Sequence, residues 1–221
     1  MNTIESEVGG FFDAQYGRHR RYWWREGNRY SLDPSDHTVF NAHVLRTATA
    51  RRPGRALDIG AGEGADSIRL AKLGYEVDSI DASAVACEKI ESFARAEGVR
   101  VNVGQGSART AVFENHEYDI VVMNGVLHYL DDKEDVLRRI RRSSAAGALH
   151  VISLFSSATP VPDEHAVIPV FPDDEGGVVE QFYQPHDIVA VMYQRGKIET
   201  SHPGFAEHVH SYIKMLVQLS T

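Results

Sequence analysis

An apolar run, Ala56 to Ile59, breaks into three glycines at alternate positions, Gly60, Gly62 and Gly64, and a helical pattern starts straight after them. This strand-turn-helix junction, "ALDIGAGEGADSIRL", restricts the fold more than any other stretch of the chain. A buried strand that feeds a helix through a tight glycine turn is the first half of a βαβ unit. The pattern then repeats. "ADSIRLAKLG" reads as a helix with Ile68 and Ala71 inward and Gly74 as its stop, and "YEVDSID" as a second strand. Residues 84 to 97 read as a helix with Ala86, Ile90 and Phe93 on one face, and "VRVNV" as a third strand. "YDIVVMN" is a fully buried fourth strand. Asp131 and Glu134 have capping-box spacing and open a helix with Val136, Leu137 and Ile140 inward, which stops near Gly147. "ALHVISLF" is a fifth strand. The alternation predicts an α/β chain with a mostly parallel, doubly wound sheet and helices on both faces.

The regularity fails over residues 156 to 185, which hold Pro160, Pro162, Pro169, Pro172 and Pro185 with Gly176-Gly177. A stretch of that length is expected to be a functional loop or lid. A helix is predicted near 186–194, then strands near 196–201 and 210–219. The short link between those strands requires them to be antiparallel. Upstream, residues 36–51 suit a helix closed by Pro53-Gly54, and residues 1–35 read as an aromatic, basic cap segment.

The bulk properties narrow the class. A length of 221 residues fits one domain spanning 1–221. The net charge of −8 opposes general electrostatic binding to nucleic acid or anionic membranes. Two local basic runs stand against that balance, "RHRRYWWR" and "RRIRR"; the second reads as the solvated face of its helix, with Ile140 inward. A single cysteine, Cys87, excludes an intrachain disulfide and suits a cytoplasmic setting. The opening "MNTIESEVGG" has no leader character, and no apolar run reaches the ~20 residues of a membrane helix.

The glycine loop has a chemical reading of its own. Glycines allow a sharp turn and close backbone approach to a ligand. The helix start that follows offers free N–H groups to anionic atoms. Asp81 ends the second strand, 17 residues after Gly64, where a carboxylate can accept from both hydroxyls of a ribose. The spacing G-x-G-x-G departs from the dinucleotide fingerprint G-x-G-x-x-G. A nicotinamide oxidoreductase is therefore disfavoured, as it is by the final antiparallel pair.

With these residues in place, "LDIGAGEGADSIRLAKLGYEVDSIDAS" resembles the cofactor loop of class I S-adenosylmethionine-dependent methyltransferases. "YDIVVMNGVLHYLDD" resembles that family's fourth strand and following loop. "AAGALHVISLF" resembles its fifth, with Ala145-Ala146-Gly147 where Pro-Gly-Gly is usual. "YWW" and "VFPDDEGGVVEQFYQP" are similar to the tellurite-resistance and thiopurine methyltransferase group. The resemblance implies a Rossmann-like seven-stranded sheet in the order 3-2-1-4-5-7-6 with strand 7 antiparallel. It implies S-adenosylmethionine as cofactor, with Asp58, Gly60, Ala61, Gly62 and Gly64 at the methionine end. Asp81 and Ala82 would hold the ribose, and Ser107 and Ala108 would face the adenine, Ser107 standing where the family often has an acid. Asn124 would line the site from the fourth strand.

Methyl transfer asks for in-line placement and, for a protonated nucleophile, a base near neutral pKa. His128 in "NGVLHYL" lies close to the expected methyl site, as a base or as a packing residue. His208 and His210 share one face of a strand, but no third ligand is evident, so no metal is expected; His210 enters the last strand at an end, where it can face substrate. His186 reads as a helix cap. Tyr16, Tyr22, Trp23 and Trp24, with Phe182 and Tyr183 in the later loop, are candidates for the acceptor wall or for ordinary packing. The resulting expectation is a methyltransferase for a small molecule, monomeric or homodimeric, with no nucleic-acid or membrane partner. The alternative is a cofactor-binding regulatory or partner protein without methyl transfer.

Overall fold

The computed structural model describes residues 3–22, 32, 39–111, 118–165, 167–201 and 205–220. The helices are α1 (Thr3–Arg18), α2 (Val39–Thr49), α3 (Ala65–Lys72), α4 (Ala84–Ala96), α5 (Lys133–Ser143) and α6 (Val178–Phe182). The strands are β1 (Arg55–Ile59), β2 (Glu76–Asp81), β3 (Asn102–Gln105), β4 (Tyr118–Asn124), β5 (Ser144–Phe155), β6 (Ile188–Glu199) and β7 (His208–Gln218).

The seven strands form one sheet in the order β3-β2-β1-β4-β5-β7-β6. β1 to β5 pair in parallel, and β7 runs antiparallel to both β5 and β6. The central strands carry apolar residues on both sides because helices cover both faces of the sheet. Leu57, Val121 and Ile152 lie in one buried cluster with Leu137 and Ile140 of α5. Ala56, Ile120 and Val151 lie in the cluster on the other side with Phe40 and Val44 of α2. Register places Asp58 opposite Ser79 on β2 and Val122 on β4, so the carboxyl ends of β1, β2 and β4 meet at one edge of the sheet.

Several local expectations change. Residues 188–194 belong to β6, not to a helix, and His186 lies exposed in the turn before that strand. β6 is the outer strand, and the pairing of its residues 188–194 with β7 partners 18 to 29 positions later overrides local propensity. α5 ends at Ser143, and β5 begins at once; Gly147 sits inside the strand with φ 74° beside an irregular register. The capping box does not form, because Asp131 and Asp132 are both drawn to Arg109. On α4 the buried residues are Ala86, Ile90 and Ala94. Phe93 is turned to the rim under the Arg21 guanidinium, 4.6 Å from its ring centre.

Gly64 caps α3 in the left-handed region, φ 79°, and an added Cβ would meet Ile90 Cγ1 at 2.9 Å. Left-handed backbone costs an L-residue about 1–2 kcal/mol and overpacking about 1–3 kcal/mol. Gly64→Ala is expected to lower unfolding stability by about 2–5 kcal/mol in urea titration, the two terms acting at one position.

Candidate active site

One large cavity, about 710 Å³, opens at the carboxyl edge of the sheet. That is within the ~300–1,000 Å³ range of small-molecule sites. At one end it is lined by Asp58 of β1, by Gly60, Ala61 and Gly62 from the loop after it, and by Asp81 and Ala82 from the end of β2. Ser107 and Ala108 come from the loop after β3, and Asn124 from the end of β4. Nine of the ten residues predicted to hold the cofactor therefore line one cavity. Gly64 is absent from the lining; its role is the helix start described above.

The loop is shaped by its glycines. Gly60 has φ 66°, and an added Cβ would lie 2.7 Å from Val126. Backbone thus reaches a place that no side chain can share. Asp81 fixes the loop. Its carboxylate accepts from Gly62 N–H (2.8 Å) and from Ser83 N–H (2.9 Å). Burial raises its pKa, against those hydrogen bonds. The remaining lone pairs of such a carboxylate are free in geometry to take hydroxyl donors.

Asp58 is 2 % exposed and accepts from Ser67 Oγ at 2.5 Å. Ser67 in turn accepts from Ser79 Oγ at 2.7 Å. Asp66, which the sequence reading passed over, is buried close by and accepts from Asn124 Nδ2 at 3.2 Å. Burial first, and then the charge of Asp66, raise the Asp58 pKa from 3.8 to about 8. Two buried carboxylates that repel each other form a seat for a cation.

An aromatic wall covers the glycine loop. Tyr16 and Tyr22 line the cavity and are buried together with Ala86, and the Tyr16 hydroxyl lies 3.1 Å from where a Cβ on Gly62 would stand. Glu63, inside the glycine loop, accepts Tyr22 N–H with both carboxylate oxygens at 2.9 Å and pairs with Lys89 at 2.9 Å. Asp13 of α1 accepts from Ser83 Oγ (2.6 Å) and from Val85 N–H (3.1 Å). The N-terminal segment is thereby tied across the cofactor loops. Trp23 and Trp24 lie outside the described residues.

His128 and His210 both line the cavity. His128 is buried, and its Nδ1 accepts from Phe155 N–H at 3.3 Å. An N–H donor at Nδ1 leaves the ring hydrogen on Nε2. Burial, followed by the nearby His210, lowers the His128 pKa well below its ordinary value. In this tautomer the neutral ring can donate from Nε2. Phe182 and Tyr183 do not line the cavity. Tyr183 is buried in the core with its hydroxyl 2.8 Å from His150 Nδ1, and Phe182 packs against the same cluster.

Two arginines were also missed as site residues. Arg109 lines the cavity and pairs with Asp131 and Asp132. Arg139, within "RRIRR", donates to the carbonyls of Ala108, Arg109 and Ala111 instead of facing water. Together they fix the loop after β3 against α5. Ile140 is fully buried, as its spacing required.

Among known proteins, residues 56–147 match the family described as "Methyltransferase domain". The chain is 29% identical over 123 residues to the uncharacterized methyltransferase YcgJ of Bacillus subtilis, covering 55% of this chain and 49% of that protein. It thus spans about half the length of that curated relative. Among solved structures, TehB from Haemophilus influenzae superposes with a TM-score of 0.67 at 18% identity, covering 85% of this chain and 64% of that one. The Burkholderia thailandensis 1,6-didemethyltoxoflavin-N1-methyltransferase, solved with its namesake compound and S-adenosylhomocysteine, gives 0.66 at 18% identity over 100% and 92%. At these identities the structural likeness is one of fold.

The raised Asp58 pKa has a sign that solution work can read. The folded state holds a proton that the unfolded state gives up between pH 3.8 and about 8. Stability from this site therefore falls as pH rises through that window. Thermal unfolding across pH 5 to 8.5 is expected to show a decline in the wild type that Asp58→Asn flattens.

Proposed function

We propose that this chain transfers a methyl group from S-adenosylmethionine to a small-molecule acceptor. The observation that carries the reading is that a single cavity joins an acidic end, with Asp58, Asp66 and Asp81, to an aromatic and histidine-rich end. The donor set fits that cofactor, which brings an ammonium, a ribose and a sulfonium. Asp58 and Asp66 seat the ammonium, and its arrival favours the ionised form of Asp58. Asp81 takes the ribose hydroxyls. Ser107 and Ala108 pass along the adenine, held from behind by Arg109 and Arg139.

The cofactor supplies an electrophilic methyl group, so the protein's work is placement and exclusion of water. Tyr16 and Tyr22 close the cavity as part of a cap, and His165, Ile168 and Val170 of the proline-rich segment supply part of its second wall. His128, with hydrogen on Nε2, donates to the acceptor and orients it. His210 faces the acceptor from β7. The acceptor is small, since the cavity that receives both partners is about 710 Å³. The net charge of −8 supports an acceptor other than nucleic acid, on a monomer or homodimer. Among the described residues no helix is long and apolar enough to cross a membrane. The methyltransferase domain and the curated relatives bearing that name support the reading.

Calorimetric titration with S-adenosylhomocysteine is the direct test. One-to-one binding is expected, and Asp81→Ala should weaken it about 10–100-fold by removing charge-assisted hydrogen bonds. Absence of detectable binding would overturn the proposal. With an acceptor in hand, the rate should show no inflection near pH 6.5, and His128→Gln should lower it without creating one. An inflection there that disappears in His128→Gln would make His128 a base after all.

A further inference from the structure

The spacing of His208 and His210 puts both side chains on one face of β7. The third ligand that the sequence did not reveal comes from the proline-rich segment. His165 ends the short turn Asp163–His165, and one nitrogen of each of His165, His208 and His210 lies within 4.8 Å of the others. The ring centres form a nearly equilateral triangle with sides of 4.8, 4.7 and 4.7 Å. The rings are steeply inclined to one another, at 62°, 64° and 79°. A tetrahedral zinc with bonds of about 2.0–2.1 Å sets its nitrogens about 3.4 Å apart and its imidazole centres about 5 Å apart. The triangle already has that size, and side-chain rotations of about an ångström complete it.

We propose that His165, His208 and His210 hold one divalent transition metal, zinc by donor type and geometry, in the acceptor-side wall of the cavity. The tautomers suit this. His208 Nδ1 lies 2.7 Å from the Ala206 carbonyl, which only accepts, so the hydrogen sits on Nδ1 and Nε2 presents its lone pair. A ligating histidine is commonly oriented in this way by a carbonyl partner. His210 is 2 % exposed, and its Nε2 has no hydrogen-bond partner among the described residues. Such a buried nitrogen is costly unless something binds it. Glu199 adds negative charge at the rim. Its Oε2 is 3.6 Å from His208 Nε2, and its Oε1 accepts from Tyr212 and Lys197.

Three protein nitrogens leave one position of a tetrahedral ion for another ligand, the pattern of catalytic rather than structural zinc. His165 and His210 also line the cavity, so that ligand comes from the cavity. The chemistry selects an anionic oxygen or sulfur of the acceptor. That last step rests on the methyl-transfer reading; the metal site itself does not.

The test uses the full chain, stripped with a chelator and then titrated with Zn²⁺ by calorimetry and with Co²⁺ by visible absorption. One ion per chain and the intense bands of a tetrahedral Co²⁺ site are expected. His165→Ala and His210→Gln should each weaken Zn²⁺ binding 100-fold or more, with S-adenosylhomocysteine titration and thermal unfolding as fold controls. His208→Gln gives a third reading at a less buried position. Failure to bind a stoichiometric ion, or binding that survives all three substitutions together, overturns the site. Histidine-dependent Zn²⁺ binding without S-adenosylhomocysteine binding would leave the metal site standing and remove the methyl-transfer reading.

Discussion

The carboxyl group of Asp81 is the point on which the site depends. Its two oxygens join the loop after β1, through Gly62 N–H, to the start of α4, through Ser83 N–H. Its own carbonyl accepts from Gly106 N–H at 2.8 Å and so holds the loop after β3. Ser83 extends the network, since its hydroxyl caps Ala86 N–H at 3.0 Å and donates to Asp13 of α1. Three loops and the N-terminal helix therefore share one buried acid. Burial costs that charge, as its raised pKa records, and the backbone N–H groups of Ser83, Gly62 and Ala82 offset part of the cost. A site built in this way has little freedom in the placement of its ribose-side oxygens, because the same atoms set the fold.

The second constraint is the closure of the cap. Glu63 occupies one of the two non-glycine positions inside the loop, and its side chain is fully buried. It accepts Tyr22 N–H and pairs with Lys89, which also donates to the carbonyl of His19 at 2.5 Å. A buried acid with this many donors is strongly oriented. The loop that faces the cofactor end and the chain that covers it are thus mechanically one unit. Gly9 confirms the close contact, because an added Cβ would lie 3.1 Å from the Ala82 carbonyl.

What the sequence disclosed follows the range of the interactions involved. The mostly parallel sheet and the cofactor loop were legible because β1, its glycines, α3 and β2 are consecutive; the strand order came from the resemblance of these segments to a family. Ile140 and Ala86 were legible from helical spacing alone. The errors came from partners distant in the chain. Asp131 has the spacing of a helix cap, yet Arg109 supplies a stronger donor from 22 residues away. Tyr183 looks like an exposed loop aromatic until His150 of β5 accepts or donates at its hydroxyl. Residues 188–194 carry no clean alternation, since an outer strand buries little on either face. His165 had no local signal, because its neighbours come from β7, more than forty residues later.

The histidine end of the cavity is also more tightly coupled than its parts suggest. Phe155 ends β5 and stacks between two imidazoles, 3.9 Å from His128 at 18° and 4.2 Å from His210 at 14°. The chain after β5 returns to this stack, with Phe171 N–H donating to the His128 carbonyl at 2.6 Å and Asp173 N–H to the Phe155 carbonyl at 3.0 Å. The segment that carries His165 is therefore pinned on both sides of that residue. Antiparallel pairing of β7 with β6 then sets Lys197 opposite His210 and Glu199 opposite His208. Burial is the main cause that keeps the His128 ring neutral, and His210 acts in the same direction. His128 and the cluster are thus coupled through Phe155, which stacks on both His128 and His210 and leaves the hydrogen of His128 on the cavity side.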